Sequence, residues 1–261
     1  MEESYLEKVW GESCVFLSPT FLAYLRLKYC LRDLEEISGR VLDVGCGGGG
    51  FSKGVKLYRP DLQIFGVDSN QKAIAAAKKD SLGVKFVQGD IYKLPFKEGF
   101  FDAVVVEDVL EHLKAPERAL KEINRVLKKK GLFHAFVPLE GEWYTLYFWL
   151  GRVGWRAKKL LAGHIQDFTL QELKKLLQEG GFSIEAVRFS THFLGQVVDV
   201  GFYSYLSFAK KKLKRGLEVE LESKPLLKFI KNTLTLVTNF ESLALFFLPA
   251  AGVHLKCTKE N

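Results

Sequence analysis

Cysteine is scarce in this chain and poorly spaced for cross-linking. Cys14, Cys30, Cys46 and Cys257 make no C-x-x-C pair, which argues against a zinc ribbon and against a disulfide framework. No uninterrupted apolar run reaches the ~20 residues that a membrane-spanning helix needs. The opening residues M-E-E-S-Y-L-E-K are acidic and lack the basic and apolar blocks of a secretory signal. There is no internal repeat and no low-complexity segment. These absences lead us to expect a reduced, cytoplasmic, globular protein. Its 261 residues, 48% apolar and 26% charged, are enough to bury a sizeable core. The formal charge of +7 leans toward anionic partners such as nucleic acid or a membrane surface.

Glycine is concentrated where it is most informative. Val41-Leu42-Asp43-Val44 reads as a short buried strand that breaks into Gly45-Cys46-Gly47-Gly48-Gly49-Gly50. A strand that ends in glycines and hands over to a helix is how α/β folds hold nucleotide-like ligands. Asp43 discriminates among such ligands. A carboxylate inside the first strand is ill placed for the phosphates of a dinucleotide, but it suits an amine or sulfonium cation. Gly45-x-Gly47-x-x-Gly50 also fits the NAD-binding pattern, so that alternative stays open at this point.

The rest of the chain alternates strand and helix. Residues up to Gly39 read as a helical cover, with Ser18-Pro19 as a helix start. Strands are expected at 62–68, 84–87, 101–106, 131–137, 182–189 and 252–258. The intervening helices are expected at 51–58, after a Ser69 cap, at 116–129, and after the capping box Thr169–Glu172. The alternation predicts a parallel sheet with helices on both faces. Ser190–Ala251 is too long for a plain connection, and its content reads as helices over Val197–Leu213 and Pro225–Leu248. The expected organisation is a helical cover, 1–39, and one α/β domain, 40–261. That domain carries a lid-like segment at 140–168 and a helical insertion at 190–251.

Four marks occur in order: Asp43-x-Gly45-x-Gly47-x-Gly49; Asp68 closing the second strand; Gly89-Asp90-Ile91; and Phe101-Asp102 leading to Glu107-Asp108. Together they resemble the motifs of class I S-adenosylmethionine-dependent methyltransferases. The branch they most resemble is the small-molecule one that includes ubiquinone-type O-methyltransferases. The resemblance implies a Rossmann-like seven-stranded sheet whose last strand is antiparallel. It also implies S-adenosylmethionine held by Asp43, Gly45, Cys46, Gly47, Gly49, Asp68, Ser69, Asp90, Ile91 and Glu107. In that reading Asp68 accepts the ribose hydroxyls and Asp90 the adenine amine.

The stretch Asp108-Val109-Leu110-Glu111-His112 is similar to an acid-x-x-Glu-His pattern that some of these enzymes use for a divalent metal. Asp108, Glu111 and His112 are therefore the metal candidates, although no metal is expected. His112 is one catalytic candidate. The other is His164, in a segment that resembles the border of the substrate pocket; an imidazole there has a suitable pKa for a base. His134 and His254 fall in strands and read as structural.

Aromatic residues beside basic ones at 143–159 and 203–215 fit a bulky or lipid-like substrate, a peripheral membrane contact, or single-stranded nucleic acid. The expected activity is methyl transfer to an O- or N-acceptor on a small or lipid-like molecule. RNA methylation is one alternative; an NAD-binding dehydrogenase and a non-catalytic cofactor-binding protein are the others.

Overall fold

The computed structural model describes residues 11–209 and 225–260. The basic run Lys210–Arg215 therefore lies outside the described residues. Seven strands form one sheet: β1 (Arg40–Val44), β2 (Gln63–Asp68), β3 (Lys85–Gln88), β4 (Phe101–Glu107), β5 (Leu127–Pro138), β6 (Phe182–Ser190) and β7 (Gly252–Lys259). Their order is β3-β2-β1-β4-β5-β7-β6. The pairs from β3 to β5 are parallel, and β7 runs antiparallel between β5 and β6. The strand order reverses at β1, so β1 and β4 open the crevice in which such sheets bind ligands. The fold expectation is met, including the antiparallel last strand.

The helices are α1 (Tyr24–Asp33), α2 (Gly50–Tyr58), α3 (Gln71–Lys79), α4 (Pro116–Val126), α5 (Leu146–Arg152), α6 (Ala157–Ala162), α7 (Leu170–Glu179), α8 (Phe193–Ala209) and α9 (Pro225–Ala244). One core cluster, including Leu42, Val104, Leu120, Phe133, Leu177 and Phe182, lies between the sheet, α4 and α7. The other, including Leu27, Val55, Ile64, Ile74 and Val105, lies under α1, α2 and α3. Each such side chain contributes about 1.5–3 kcal/mol of burial, so the sheet is anchored on both faces.

Several local expectations are corrected. Ser18 and Pro19 do not start the first helix. Ser18 Oγ bonds Thr20 Oγ1 in a turn, and α1 begins only at Tyr24, with no side-chain cap. The cap of α3 is Asn70, whose side chain accepts from Lys72 N and Ala73 N, and not Ser69. Helix α4 stops at Val126 because Leu127 already pairs with Phe101 in the sheet. The capping box at Thr169 and Glu172 is present in full.

The cover meets the rest of the fold in two places. Main-chain bonds tie residues 11–15 to the glycine loop: Gly50 N donates to Gly11 O at 2.7 Å and Val15 N to Gly50 O at 3.1 Å. Farther on, Asn239 Nδ2 of α9 donates to Pro19 O at 2.7 Å and Phe21 O at 3.1 Å. Helix α8 packs against α5, α6 and α9, so the lid-like segment and the insertion form one helical layer.

Candidate active site

Strand β1 delivers the chain into the glycine loop at the carboxyl edge of the sheet. Gly45 and Gly49 adopt φ of +76° and +81°, which side chains resist. A Cβ at Gly45 would also lie 2.5 Å from Val109 Cγ2. Gly45 N and Cys46 N both donate to Val67 O of β2, at 2.8 and 3.1 Å, which fixes the loop against the second strand.

Carboxylates line this edge. Asp68 bridges the loop and the start of α3, because Gly47 N donates to its Oδ2 at 2.9 Å and Asn70 N to its Oδ1 at 2.8 Å. Each oxygen keeps a second lone pair, as a pair of ribose hydroxyls would require. Asp90 Oδ1 accepts from Tyr92 N at 2.9 Å, holding Gly89-Asp90-Ile91 in a tight turn beyond β3. Ile91 is half-buried against the core. Ser69 is exposed, and its carbonyl accepts from Gln88 Nε2.

Asp43 is buried, and Ser52 Oγ donates to its Oδ2 at 2.5 Å. Burial lifts its pKa from 3.8 to about 7; the Ser52 bond opposes this, and the nearby charges of Glu107 and Asp68 add to it. A cation brought close would reverse that shift, whereas a pyrophosphate would increase it. The donor set thus fits S-adenosylmethionine, which carries an amine and a sulfonium, and does not fit a dinucleotide. Burial also pushes the Cys46 thiol up, so this residue packs and does not ionise.

Glu107 is spent elsewhere. Its carboxylate lies 3.1 Å from His134 Nε2, while His134 Nδ1 is 2.8 Å from Asp33 Oδ2 and Asp33 Oδ1 is 2.9 Å from Arg188 Nη2. The two acids outweigh burial and raise His134 to about 9. This buried chain of charges pins α1 to β5 and β6 and holds the end of β4. His254, by contrast, is kept neutral by burial and bonds Ser190 Oγ at 2.9 Å. Both histidines are structural, as their strand positions suggest.

A second cluster lies where β4 and β5 end. The 3-10 turn Leu110–His112 carries Glu111 and His112. Ile165 N and Gln166 N donate to Glu111 O at 2.9 and 3.0 Å, which docks the loop before α7 onto this turn. The two catalytic candidates thereby meet: the rings of His112 and His164 are 5.0 Å apart and nearly perpendicular. His112 Nδ1 lies 3.0 Å from Gly163 O, so this nitrogen carries the proton and Nε2 is the acceptor. Burial lowers the His112 pKa, against the favourable Gly163 carbonyl. His164 Nδ1 is 3.1 Å from Glu140 Oε1.

Glu140 is the member that no motif revealed. Burial alone would raise its pKa, but Lys158 and His164 hold it down at about 2. Lys158 Nζ sits 3.0 Å from Glu140 and 2.8 Å from Asp199 Oδ2, which also accepts from Tyr147 OH at 2.5 Å. Next to this relay lies a cavity of 500 Å³, lined by Tyr147, Phe148, Trp155, Arg156, Lys158 and Glu140 among others.

The metal candidates are regrouped. Asp108 is turned away to pair with Arg26. Glu111, His112 and His164 instead bring one ligand atom each within 4.8 Å of one another. A carboxylate and two imidazoles are donors that a divalent ion accepts. Glu111 is fully buried, and neither of its carboxylate oxygens has a hydrogen-bond partner among the described residues. Burial drives its pKa well above the usual carboxylate range, and the Asp108 charge adds to the effect.

Comparison with known proteins agrees with this geometry. Residues 42–135 match the methyltransferase-domain family. The chain is 30% identical over 185 residues to the demethylmenaquinone methyltransferase of Thermotoga maritima, covering 63% of this chain and 81% of that protein. It is 36% identical over 103 residues to a sterol 24-C-methyltransferase of Gibberella zeae, covering 37% of this chain and 27% of that one. A solved S-adenosylmethionine-dependent methyltransferase of Thermotoga maritima, described as a possible histamine N-methyltransferase, shares the fold. Its TM-score is 0.58 at 20% identity, with 94% of this chain and 93% of that chain covered. Glycine loop, carboxylates, strand order and relatives converge: the chain belongs to the class I S-adenosylmethionine-dependent methyltransferases, and it is an enzyme of that family.

Proposed function

We propose that this enzyme methylates a lipid-like small molecule at an ionisable acceptor atom, with His112 as the base and His164 as its partner. The observation that carries this reading is the perpendicular His112–His164 pair, backed by Glu140 and Lys158, which also line a cavity that Tyr147, Phe148 and Trp155 share with charged side chains. S-adenosylmethionine, when bound, supplies a methyl group already activated on sulfur. What the chain must add is placement and a destination for the acceptor's proton.

Asp43, Asp68 and Asp90, with the glycine loop, bind and orient the cofactor in this reading. Ser69 and Ile91 belong to the edges of that site, whereas Glu107 is held by His134 and stays outside it. His112 Nε2 takes the acceptor's proton, because Nδ1 already donates to Gly163 O and burial keeps the ring neutral at pH 7. Glu140 fixes the His164 ring through Nδ1, and Lys158 holds Glu140 ionised. Segment 140–168 acts as a lid, with Tyr147, Phe148 and Trp155 supplying an apolar wall that excludes water.

Support for a lipid-like acceptor comes from that wall and from relatives named for demethylmenaquinone and sterol substrates. The partners are then the acceptor and the membrane surface that carries such molecules. The test is methyl transfer from S-adenosylmethionine labelled in its methyl group to fractionated cell extract. We expect label in the organic-soluble fraction, lost at least tenfold in His112→Gln while calorimetric cofactor affinity is kept. Label confined to RNA or to water-soluble metabolites would overturn the substrate assignment. Full turnover in His112→Gln would overturn its role as base.

A further inference from the structure

Helices α8 and α9 are built inside out. The most buried residues of α9 are polar: Thr235, Asn239 and Ser242 are 4%, 6% and 1% exposed, while Leu236 and Leu243 are only half-buried. Both Asn239 and Ser242 are spent on the fold. Asn239 holds Pro19 O and Phe21 O, and Ser242 Oγ accepts from Thr191 N. The opposite face, at helical spacing, is Leu226, Phe229, Ile230, Leu234, Val237 and Phe240, all of them exposed. Leu226 and Phe229 are 70% and 68% exposed. Helix α8 repeats the pattern. Gln196 is buried and accepts from Leu146 N, and Asp199 binds Tyr147 and Lys158. Val197, Phe202, Tyr205 and Phe208 face out, Phe208 at 86%.

Sequence pattern alone places the insertion's apolar positions Phe202, Tyr205, Phe208, Phe229, Leu236 and Phe240 in a substrate-pocket wall; Leu236 is half-buried, whereas the five aromatics are exposed. The structure turns these five outward, because the polar residues between them are the ones with partners inside. A soluble monomer does not leave such a contiguous apolar face in water.

Charge decides what covers it. The helical layer, taken as 143–160, 193–209 and 225–244, holds six basic residues against two acidic ones. Both acids are committed internally, Asp199 to Lys158 and Glu241 to the amides of Leu194 and Gly195 at the start of α8. The outer residues Arg152 and Arg156 are exposed, as is Lys228 on α9. Arg152 lies over the Phe148 and Trp149 rings at 4.3 and 5.7 Å. Exposed Trp143 and Trp149 supply the amphipathic rings that sit at headgroup level. Among the described residues no helix is long and apolar enough to cross a membrane. An exposed apolar face in a helical layer whose exposed charges are mostly cationic, on helices that do not span, fits a surface-lying amphipathic element.

We infer that the outer face of α8 and α9 docks this enzyme on the surface of an anionic lipid bilayer. This inference rests on the lipid-like acceptor reading for its purpose, but its geometry is independent of catalysis. The face spreads its apolar side chains among acyl chains, and Arg152, Arg156 and Lys228 meet lipid phosphates. The aromatic-lined cavity belongs to the same helical layer, so a membrane-borne acceptor enters the lid without crossing bulk water.

The test is flotation of the full-length protein with phosphatidylcholine vesicles and with vesicles containing a quarter phosphatidylglycerol, without S-adenosylmethionine or acceptor. Flotation with the anionic vesicles should exceed that with the neutral ones at least fivefold, and salt should weaken it. Phe229→Ser/Phe240→Ser should lower anionic flotation at least tenfold while keeping circular dichroism and cofactor affinity, since both side chains lie outside the core. Equal flotation of this variant, or no flotation of the parent, would overturn the proposal. So would a concentration-dependent dimer, in ultracentrifugation, that the double substitution abolishes: the face would then belong to a second copy. Because vesicle binding is read without turnover, failure here leaves the acceptor assignment standing. Conversely, label found only in RNA would remove that assignment without touching this measurement.

Discussion

The buried carboxylate of Asp43 gives a prediction that separates stability from function. Its pKa stands at about 7 against an ordinary 3.8, about three units. At ~1.36 kcal/mol per unit, an ionised Asp43 costs the free protein roughly 4 kcal/mol. The sign follows from proton binding. Between pH 4 and 7 the folded state holds a proton that the unfolded state has released, so stability falls as pH rises through this window and levels off above it. Asp43→Asn keeps an oxygen that can accept from Ser52 Oγ and removes the titration. At pH 8 the Asn variant should therefore be more stable than the parent by ~2–4 kcal/mol in denaturant melts, and this part of the pH slope should vanish. Its affinity for S-adenosylmethionine should drop at least tenfold, because a neutral amide offers a cation little. In the parent, cofactor affinity should rise with pH up to about 7; in the variant it should stay flat. An Asn variant with the parent's pH slope, or with unchanged cofactor affinity, would refute the assignment of Asp43 as the cation's counter-charge.

Asp68→Ala removes the acceptor of Gly47 N and Asn70 N, so calorimetry should show cofactor binding weakened by about 1–3 kcal/mol. His134→Gln leaves Asp33 and Glu107 without their shared cation and should cost ~3–5 kcal/mol in urea melts. Since His134 is raised from 6.5 to about 9, its stabilisation is complete below pH 6.5 and fades as pH approaches 9; the Gln variant should lack that decline. Chelator should leave turnover unchanged, because a protonated Glu111 needs no counter-ion. Activity lost in chelator and restored by Mn²⁺ or Zn²⁺ would instead make Glu111, His112 and His164 ligands.

Much of the glycine loop and the carboxylates expected to hold the cofactor was legible in the sequence, because these features are local. A strand, its glycines and its closing acid sit within a few residues, and Asp43, Asp68 and Asp90 recur at the ends of successive strands. The seven strands could be read for the same reason, from apolar runs bounded by turn residues. Boundaries shifted where two signals competed. Asn70 displaced Ser69 as the α3 cap, and the lysines of 128–130 read as a helix end although they open β5. The acceptor half was less legible because it is assembled across the chain. His112 and Gly163 are 51 positions apart, no pattern announced Glu140, and Lys158 stood out only as one of the basic residues beside the aromatics of 143–159. The insertion misled for a different reason. An apolar residue in a helix is ordinarily counted as core, whereas here polar residues of α8 and α9 found partners inside and most of the aromatics, Tyr203 excepted, did not.

One strap joins the two halves. Residues 11–15 lie so close on the loop that a Cβ at Gly50 would stand 2.1 Å from Ser13 O, and Lys53 Nζ donates to Glu12 O at 2.9 Å. A few residues later the same segment is gripped by Asn239 on the inner face of α9. Residues 11–22 therefore run from the cofactor loop to the back of the helix whose outer face is apolar. Their main chain makes bonds at both ends, whereas Phe21 and Leu22 stay exposed. Ordering such a segment costs about 1–2 kcal/mol of backbone entropy per residue, which bonds at each end and a few between, such as Leu17 N to Tyr58 OH, partly offset. Anything that firms one end, a ligand under the loop or a surface against α9, lowers the cost of ordering the other. We therefore expect cofactor binding at the loop and docking of α9 to favour each other, which vesicle flotation with and without S-adenosylmethionine would check; equal flotation in both would refute the coupling.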